Sequence, residues 1–134
     1  MPTSADTPSY LDASALVKLV VEERESAALR AWLHNDRTVV SCALARVEVC
    51  RAVAREGRAA TTRARRLLDR VELIMLDDEL LDLAAVVEGP LRSLDAIHVA
   101  AALELADTLE ALVTYDVRMA GVARSLGMPV ASPS

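Results

Sequence analysis

Aromatic residues are the scarcest feature of this 134-residue chain, which contains no phenylalanine. The aromatic side chains are Tyr10, Trp32 and Tyr115, so leucine, valine and alanine must fill the core. Proteins that recognise single strands by base stacking need exposed aromatic platforms. The composition therefore disfavours base stacking as a mode of recognition.

Cysteine and histidine are also scarce, with two of each. Cys42 and Cys50 show neither CxxC nor Cys/His spacing, which favours small buried hydrophobes in a reducing compartment over a zinc or thiol-redox site. His34 and His98 are too few for a ribonuclease that uses a histidine pair, unless the two meet. We expect His98 to be packed or to support a neighbouring ligand, with a substrate contact as the alternative. No GxGxxG, P-loop, GxSxG or HExxH motif occurs.

Long apolar runs are absent, and none approaches the ~18 residues of a transmembrane helix. Residues 1–8 lack the basic and apolar segments of a signal peptide, and we expect them to be the flexible N-terminus of a cytoplasmic protein. The chain has 53% hydrophobic and 26% charged residues and no linker or repeat. This composition predicts one globular domain over residues 1–134.

The net charge of −5 disfavours a nucleic-acid partner, but the charges are unevenly distributed. Residues 51–70 contain seven arginines and two acids, whereas residues 72–88 contain six acids and no base. An arginine-rich helix can follow the phosphates of a nucleic acid. The alternative is an ordinary solvated helix face.

Short β-rich segments alternate with longer segments of helical periodicity. The predicted strands are Ser9–Asp12, Thr38–Ser41, Val71–Leu76, a segment within Leu109–Thr114, and Val130–Ala131. The predicted helices are Ala13–Glu22, Ser26–His34, Ala43–Glu56 ending at Gly57, Thr61–Arg70, Asp78–Val87, Leu94–Ala106, and Val117–Leu126 ending at Gly127. Because helical crossovers join parallel strands, this order predicts an α/β fold with a mainly parallel sheet covered on both faces.

Two acids stand at the carboxyl ends of predicted strands, where ligands of such sheets bind. Asp12 follows Tyr10–Leu11, and Asp116 follows the segment Ala111–Tyr115. Taken singly, each is explained as the N-cap of the next helix, a position that aspartate favours. Because both acids stand at equivalent ends of two strands, together they favour a shared site.

Two further carboxylates lie within apolar helices. Glu48 projects from a stripe where a lone carboxylate is costly, so either a metal or a salt bridge to Arg51 must compensate its charge. Asp95 lies in the first turn of the most apolar helix, for which Ser93 is the better cap. Carboxylates without histidine or cysteine suit a hard cation such as Mg²⁺ or Mn²⁺. Such a site indicates phosphate chemistry with a metal-activated water.

Four stretches around these acids resemble the PIN-domain family, and within it the VapC toxins of bacterial type II toxin–antitoxin pairs. The stretches are YLDASALVKL (Tyr10–Leu19), ALARVEVCRAVAR (Ala43–Arg55), LRSLDAIHVAAAL (Leu91–Leu103) and LVTYDVRMAGVARSLGMPV (Leu112–Val130). The resemblance implies a three-layer α/β/α sandwich. It also implies a Mg²⁺ site, with Mn²⁺ as a substitute, built from four acids: Asp12, Glu48, Asp95 and Asp116. Ser14 and Thr114 match positions that support these ligands or orient water.

The resemblance further implies an endoribonuclease that acts as a toxin, forms a homodimer and has a VapB-like antitoxin as its partner. Arg51, Arg55 and Arg92 are then candidate RNA contacts. Two alternatives stay open. One is a PIN nuclease of RNA processing without an antitoxin, and the other is a non-enzymatic module whose acids cap helices and bind a partner's basic tail.

Overall fold

The computed structural model describes residues 7–34 and 37–134, in which strands alternate with helices. The strands are β1 (Ser9–Leu11), β2 (Val39–Cys42), β3 (Glu72–Ile74), β4 (Ala111–Val113) and β5 (Val130–Ala131). The helices are α1 (Ala13–Lys18), α2 (Ser26–Leu33), α3 (Ala45–Val53), α4 (Arg58–Arg70), α5 (Asp78–Val86), α6 (Ser93–Leu103) and α7 (Val117–Ser125). A short 3-10 helix, Ala54–Glu56, follows α3.

The strands form one parallel sheet in the order β3-β2-β1-β4-β5. In the central strand β1, Tyr10 pairs with Val40 of β2 on one side and with Leu112 of β4 on the other. The chain first builds the sheet outward through β2 and β3, and then returns to add β4 on the opposite side of β1. Such a reversal opens a crevice at the carboxyl ends of the two strands involved. Residues that directly follow β1 and β4 therefore meet at one edge of the sheet.

Alternate residues of the central strands face opposite helical layers. Tyr10 and Leu112 belong to a core that the sheet shares with α5, α6 and α7. Leu11 and Val113 belong to a second core, which is shared with α1 to α4. All four side chains are fully buried, as the two-residue period of a strand covered on both faces requires. The predicted three-layer α/β/α sandwich with a parallel sheet is confirmed.

The predicted order of elements is also confirmed, and the differences lie at their ends. Helix α1 ends at Lys18 rather than at Glu22, and α4 begins at Arg58 rather than at Thr61. Gly57 explains the second difference. Its φ of 101° terminates the preceding helical segment, as predicted, and lets the chain start α4 at the next residue.

The start of α6 differs from the prediction as well. Ser93 is the first helical residue rather than the cap, and Arg92 holds the N-cap position without a side-chain hydrogen bond. The negative charge of Asp95 in the first turn suits the helix dipole instead. Of the N-terminus predicted to be flexible, residues 1–6 lie outside the described residues. Within the described ranges, no helix combines the length and apolarity needed to span a bilayer.

Candidate active site

Asp12 is a buried carboxylate at the carboxyl end of the central strand, with 3% of its surface exposed. Its Oδ1 accepts hydrogen bonds from the Ser14 hydroxyl at 2.7 Å and from the Ala15 N–H at 3.0 Å. Its Oδ2 accepts a third from the Thr114 hydroxyl at 2.6 Å. Burial raises the pKa of Asp12, and the hydrogen bonds from Thr114 and Ser14 oppose that shift without cancelling it.

Ser14 and Thr114 also connect Asp12 to the residues that follow β4. The Ser14 hydroxyl accepts a hydrogen bond from the Tyr115 N–H at 3.0 Å, and the Thr114 hydroxyl accepts one from the Asp116 N–H at 3.0 Å. Each hydroxyl therefore donates to the carboxylate and accepts from the backbone, as a hydroxyl can. Both residues lie where the predicted supporting role requires them, and the role itself stays a prediction.

Replacing Thr114 by valine should destabilise this connection, because Asp12 Oδ2 and the Asp116 N–H both lose their partner. Since Thr114 is fully buried, we expect a loss of about 1–3 kcal/mol in the free energy of unfolding. Thr114→Ser keeps the hydroxyl and should be clearly more stable than Thr114→Val. Urea denaturation compares the two variants. Equal stability would show that the hydroxyl contributes nothing.

Asp116 lies half-buried at the start of α7. Its Oδ1 accepts a hydrogen bond from the Met119 N–H at 2.9 Å, which makes it the N-cap of that helix. Asp12 caps α1 in the same way, so the capping interpretation is correct for both strand-end acids. Capping occupies one oxygen of Asp116, and its Oδ2 accepts no hydrogen bond from a described residue. The cap and a role as metal ligand are therefore compatible.

Glu48 pairs with His98, and the alternative of a salt bridge to Arg51 is wrong. Glu48 Oε1 lies 2.6 Å from His98 Nε2, because this side of α3 faces the imidazole on α6, whereas Arg51 is exposed. Burial opposes charging of the imidazole, but hydrogen bonds to Cys42 and Glu48 raise the pKa of His98 to about 10. At neutral pH the imidazole of His98 is therefore protonated.

The other ring nitrogen of His98 faces the core. Nδ1 lies 2.7 Å from the Tyr10 hydroxyl and 3.7 Å from Cys42 Sγ. Burial opposes ionisation of the Cys42 thiol, but the hydrogen bond with His98 lowers its pKa. Cys42 is a buried core residue, as predicted, and Cys50 is half-buried; both are free thiols. His98 is buried and contacts a predicted ligand, Glu48; its role in supporting that ligand stays a prediction.

Three of the four predicted ligands line a common cleft. Glu48, Asp95 and Asp116 border this space of about 590 Å³ together with Arg92 and Arg118. Arg118 was not among the residues predicted for the site. Its position two residues after Asp116, in the first turn of α7, is the signal that could have placed it at the same edge of the sheet.

These carboxylates are not arranged as a closed metal cage. Across residues 7–34 and 37–134, no three acidic, histidine or cysteine side chains are placed closely enough to hold an ion. The donor chemistry nevertheless fits a hard cation, since the cleft offers carboxylate oxygens. Asp12 does not line the cleft, but the Thr114 hydroxyl connects it to the backbone of Asp116, which does. Among the described residues, none forms an ion pair with Asp12. A buried carboxylate without a cation is costly, and a divalent ion at this edge would compensate its charge.

The three arginines predicted to contact RNA lie in different places. Arg92 borders the cleft, beside the acids. Arg51 and Arg55 are exposed on α3 and on the 3-10 helix, and they do not line the cleft. Contact of all three with RNA stays a prediction, and Arg92 has the position best suited to it.

A family model of the PIN domain matches residues 9–125. The chain therefore belongs to the PIN-domain family. Ribonuclease VapC46 of Mycobacterium tuberculosis is 48% identical to it over 126 residues, which cover 93% of this chain and 97% of that protein. Ribonuclease VapC47 of the same species is 44% identical over 131 residues, covering 92% and 96%. The predicted resemblance to the VapC group of this family is confirmed.

Two solved structures share the fold. Mycobacterium tuberculosis VapC20, described as a toxin that cleaves the sarcin–ricin loop, has a TM-score of 0.71 at 17% identity and covers 93% of this chain and 99% of its own. A toxin–antitoxin complex from Klebsiella pneumoniae has a TM-score of 0.66 at 20% identity, with coverages of 84% and 91%. At these identities the likeness concerns the fold alone.

Proposed function

We propose that the protein is a Mg²⁺- or Mn²⁺-dependent endoribonuclease that acts as the toxin of a toxin–antitoxin pair. The observation that carries this proposal is the cleft in which Glu48, Asp95 and Asp116 meet two arginines beside the buried Asp12. Relatives that are 48% and 44% identical bear the name ribonuclease, which supports RNA as the substrate.

The four acids would have two different roles at the ion. Asp12, Asp95 and Asp116 are the proposed ligands, and Glu48 completes the set or positions the attacking water. The bound ion supplies charge neutralisation at the phosphate and lowers the pKa of a water molecule. Asp12 is held in one orientation by its three hydrogen bonds, so its carboxylate is already ordered before the ion binds.

Arg92 and Arg118 give the acidic cleft a means of binding an anionic backbone. Carboxylates alone repel RNA, whereas a guanidinium can donate two parallel hydrogen bonds to phosphate oxygens. The two arginines come from different elements, Arg92 from the residue before α6 and Arg118 from α7, and they border the same space. In the proposed function they hold the phosphates next to the bond that is cut.

The purified protein should cleave RNA in Mg²⁺ or Mn²⁺, lose the activity in EDTA, and regain it when Mn²⁺ is restored. Since water and not the ribose 2′-hydroxyl attacks, the products should carry 5′-phosphate and 3′-hydroxyl ends. Sequencing of RNA ends with ligation chemistries specific for each terminus measures this outcome. Asp116→Asn keeps the helix cap and, purified in the same way, controls for contaminating nucleases. A 2′,3′-cyclic phosphate on the products would overturn the mechanism.

The toxin role adds a protein partner to the proposal. We infer a VapB-like antitoxin whose tail places an arginine or lysine among the acids. We also infer that the toxin forms a homodimer. Leu94 and Val117, which are 48% and 85% exposed, offer that tail apolar contacts beside the cleft. Expression of the chain alone should inhibit growth, and co-expression with a small adjacent reading frame should relieve the inhibition.

The two alternatives make different predictions in the same experiments. A PIN nuclease of RNA processing cleaves RNA but inhibits no growth and needs no adjacent partner gene. A non-enzymatic module binds no Mn²⁺ in calorimetric titration and is unaffected by loss of a carboxylate from the cleft.

A further inference from the structure

Two hydrogen bonds in series, one buried and one part-buried, run from the central strand to the cleft. The Tyr10 hydroxyl lies 2.7 Å from His98 Nδ1, and His98 Nε2 lies 2.6 Å from Glu48 Oε1. The side chain of His98 is 1% exposed and that of Glu48 is 22% exposed. These hydrogen bonds join β1, α6 and α3. They therefore connect the sheet and a buried helix to one carboxylate of the proposed metal site.

The direction of the bond to Glu48 follows from its chemistry. An ionised carboxylate can only accept a hydrogen bond, so Nε2 carries the proton and donates, whether the ring is neutral or charged. The Tyr10 hydroxyl can donate to Nδ1 or accept from it, and therefore suits both forms of the ring. In each case Glu48 Oε1 is occupied, while Oε2 accepts no hydrogen bond from any residue that the structure describes.

Packing alone does not explain a histidine at this position. The neighbouring residues Ala96, Val99 and Ala100 of α6 are apolar and buried, and an apolar side chain would fill the same space without polar atoms. A buried imidazole needs partners for both nitrogens, and here they come from two other elements of the fold. What distinguishes His98 from its neighbours is its contact with Glu48.

We propose that His98 is a positioning residue, which holds Glu48 Oε1 so that the free Oε2 is presented to the cation in the cleft. The inference rests on the proposed metal site. Without His98, Glu48 has no other hydrogen-bond partner among the described residues, and its flexible side chain must be ordered when the ion binds. Loss of a group that orients a metal ligand weakens metal binding by about 10- to 100-fold.

Two substitutions separate positioning from packing. The amide nitrogen of glutamine in His98→Gln can reach the place of Nε2 and donate to Glu48, whereas the side chain in His98→Asn is too short. Calorimetric titration with Mn²⁺ should give a Kd about 10- to 100-fold larger for the Asn variant and close to the wild-type Kd for the Gln variant. Thermal unfolding in EDTA identifies any general loss of structure.

A double-mutant cycle with Glu48→Ala tests whether His98 acts through that carboxylate. If it does, adding His98→Asn to Glu48→Ala leaves the Mn²⁺ Kd unchanged. Should the Asn protein not fold, His98→Met fills the space without a donor and replaces it in the cycle. An equal loss of affinity in both backgrounds, or an unchanged Kd of the single variant, overturns the proposal. A wild-type protein that binds no Mn²⁺ overturns the proposed function on which it rests.

Discussion

The Asp12→Asn protein should lose RNA cleavage and yet unfold at a higher temperature than the wild type in the absence of metal. Removing one electrostatic group from an active site typically costs about 10²- to 10³-fold in rate, and we expect at least that loss. The gain in stability has another cause, since burial raises the pKa of Asp12 in the folded protein. The carboxyl then binds protons more strongly in the folded than in the unfolded state, so stability falls as pH rises through the folded-state pKa. The neutral amide removes this penalty.

Asparagine also keeps most of the hydrogen bonds around position 12. Its amide oxygen can accept from Ser14 and Ala15, whereas its NH₂ group donates to the Thr114 hydroxyl and so reverses the bond in which Thr114 is the donor. Asparagine is as good an N-cap as aspartate. The substitution therefore changes the charge of the site with little change in its shape, and the melting temperature should rise by a few degrees.

Thermal unfolding in EDTA at several pH values measures the effect. The difference in Tm between Asp12→Asn and the wild type should be absent in acid, where Asp12 is protonated, and should grow as the pH rises. Asp77→Asn is a matched control, because Asp77 caps α5 through the Leu80 N–H at 2.9 Å and lies outside the cleft. The control should cleave RNA at the wild-type rate. Normal cleavage by Asp12→Asn, or a lower Tm in EDTA at neutral pH, would contradict the assignment.

Leu112→Ala should cost about 2–5 kcal/mol of the free energy of unfolding. Leu112 is fully buried in the middle of β4, between β1 and β5, in the core that the sheet shares with α5, α6 and α7. Truncation leaves a cavity between the sheet and these helices, and the paired backbone of β4 limits how far the cavity can close. Domains of this size are stable by about 5–15 kcal/mol, so one substitution removes a large share.

Urea denaturation measures this cost as a lower midpoint at an unchanged slope. Leu126→Ala is the matched control, because Leu126 follows the last residue of α7 and is 43% exposed. The control should lose less than about 1 kcal/mol. Equal losses for the two leucines would contradict the assignment of Leu112 to the core.

The sheet edge and two of its acids were predictable because they follow from local patterns. Alternating strands and helices require parallel pairing, and parallel strands bring their carboxyl ends together. Asp12 and Asp116 directly follow β1 and β4 in the chain, so correct strands were enough to place both acids. Their capping bonds were equally local and were predicted as an alternative explanation.

The partner of Glu48 could not be predicted from local spacing. Periodicity along α3 pointed to Arg51, which is three residues away, whereas the residue in contact is His98, fifty residues away along the chain. Contacts between helices depend on how α3 and α6 pack, which spacing within one helix does not determine. Arg118 differs from this case, because its position two residues after Asp116 was a local signal; the structure places it in the same cleft as residues from α3 and α6.

The hydroxyl bridge between Asp12 and Thr114 has a consequence for synthesis of the chain. These residues are separated by 102 positions, so Asp12 leaves the ribosome long before the residue whose hydroxyl donates a hydrogen bond to it. At about 5–20 residues per second, the interval between them is roughly 5 to 20 seconds. A nascent polypeptide without β4 has neither Thr114 nor Asp116 and cannot assemble the cleft. An enzyme that cuts RNA, as proposed, would thus stay inert beside the translating ribosome until β4 and Asp116 have been made.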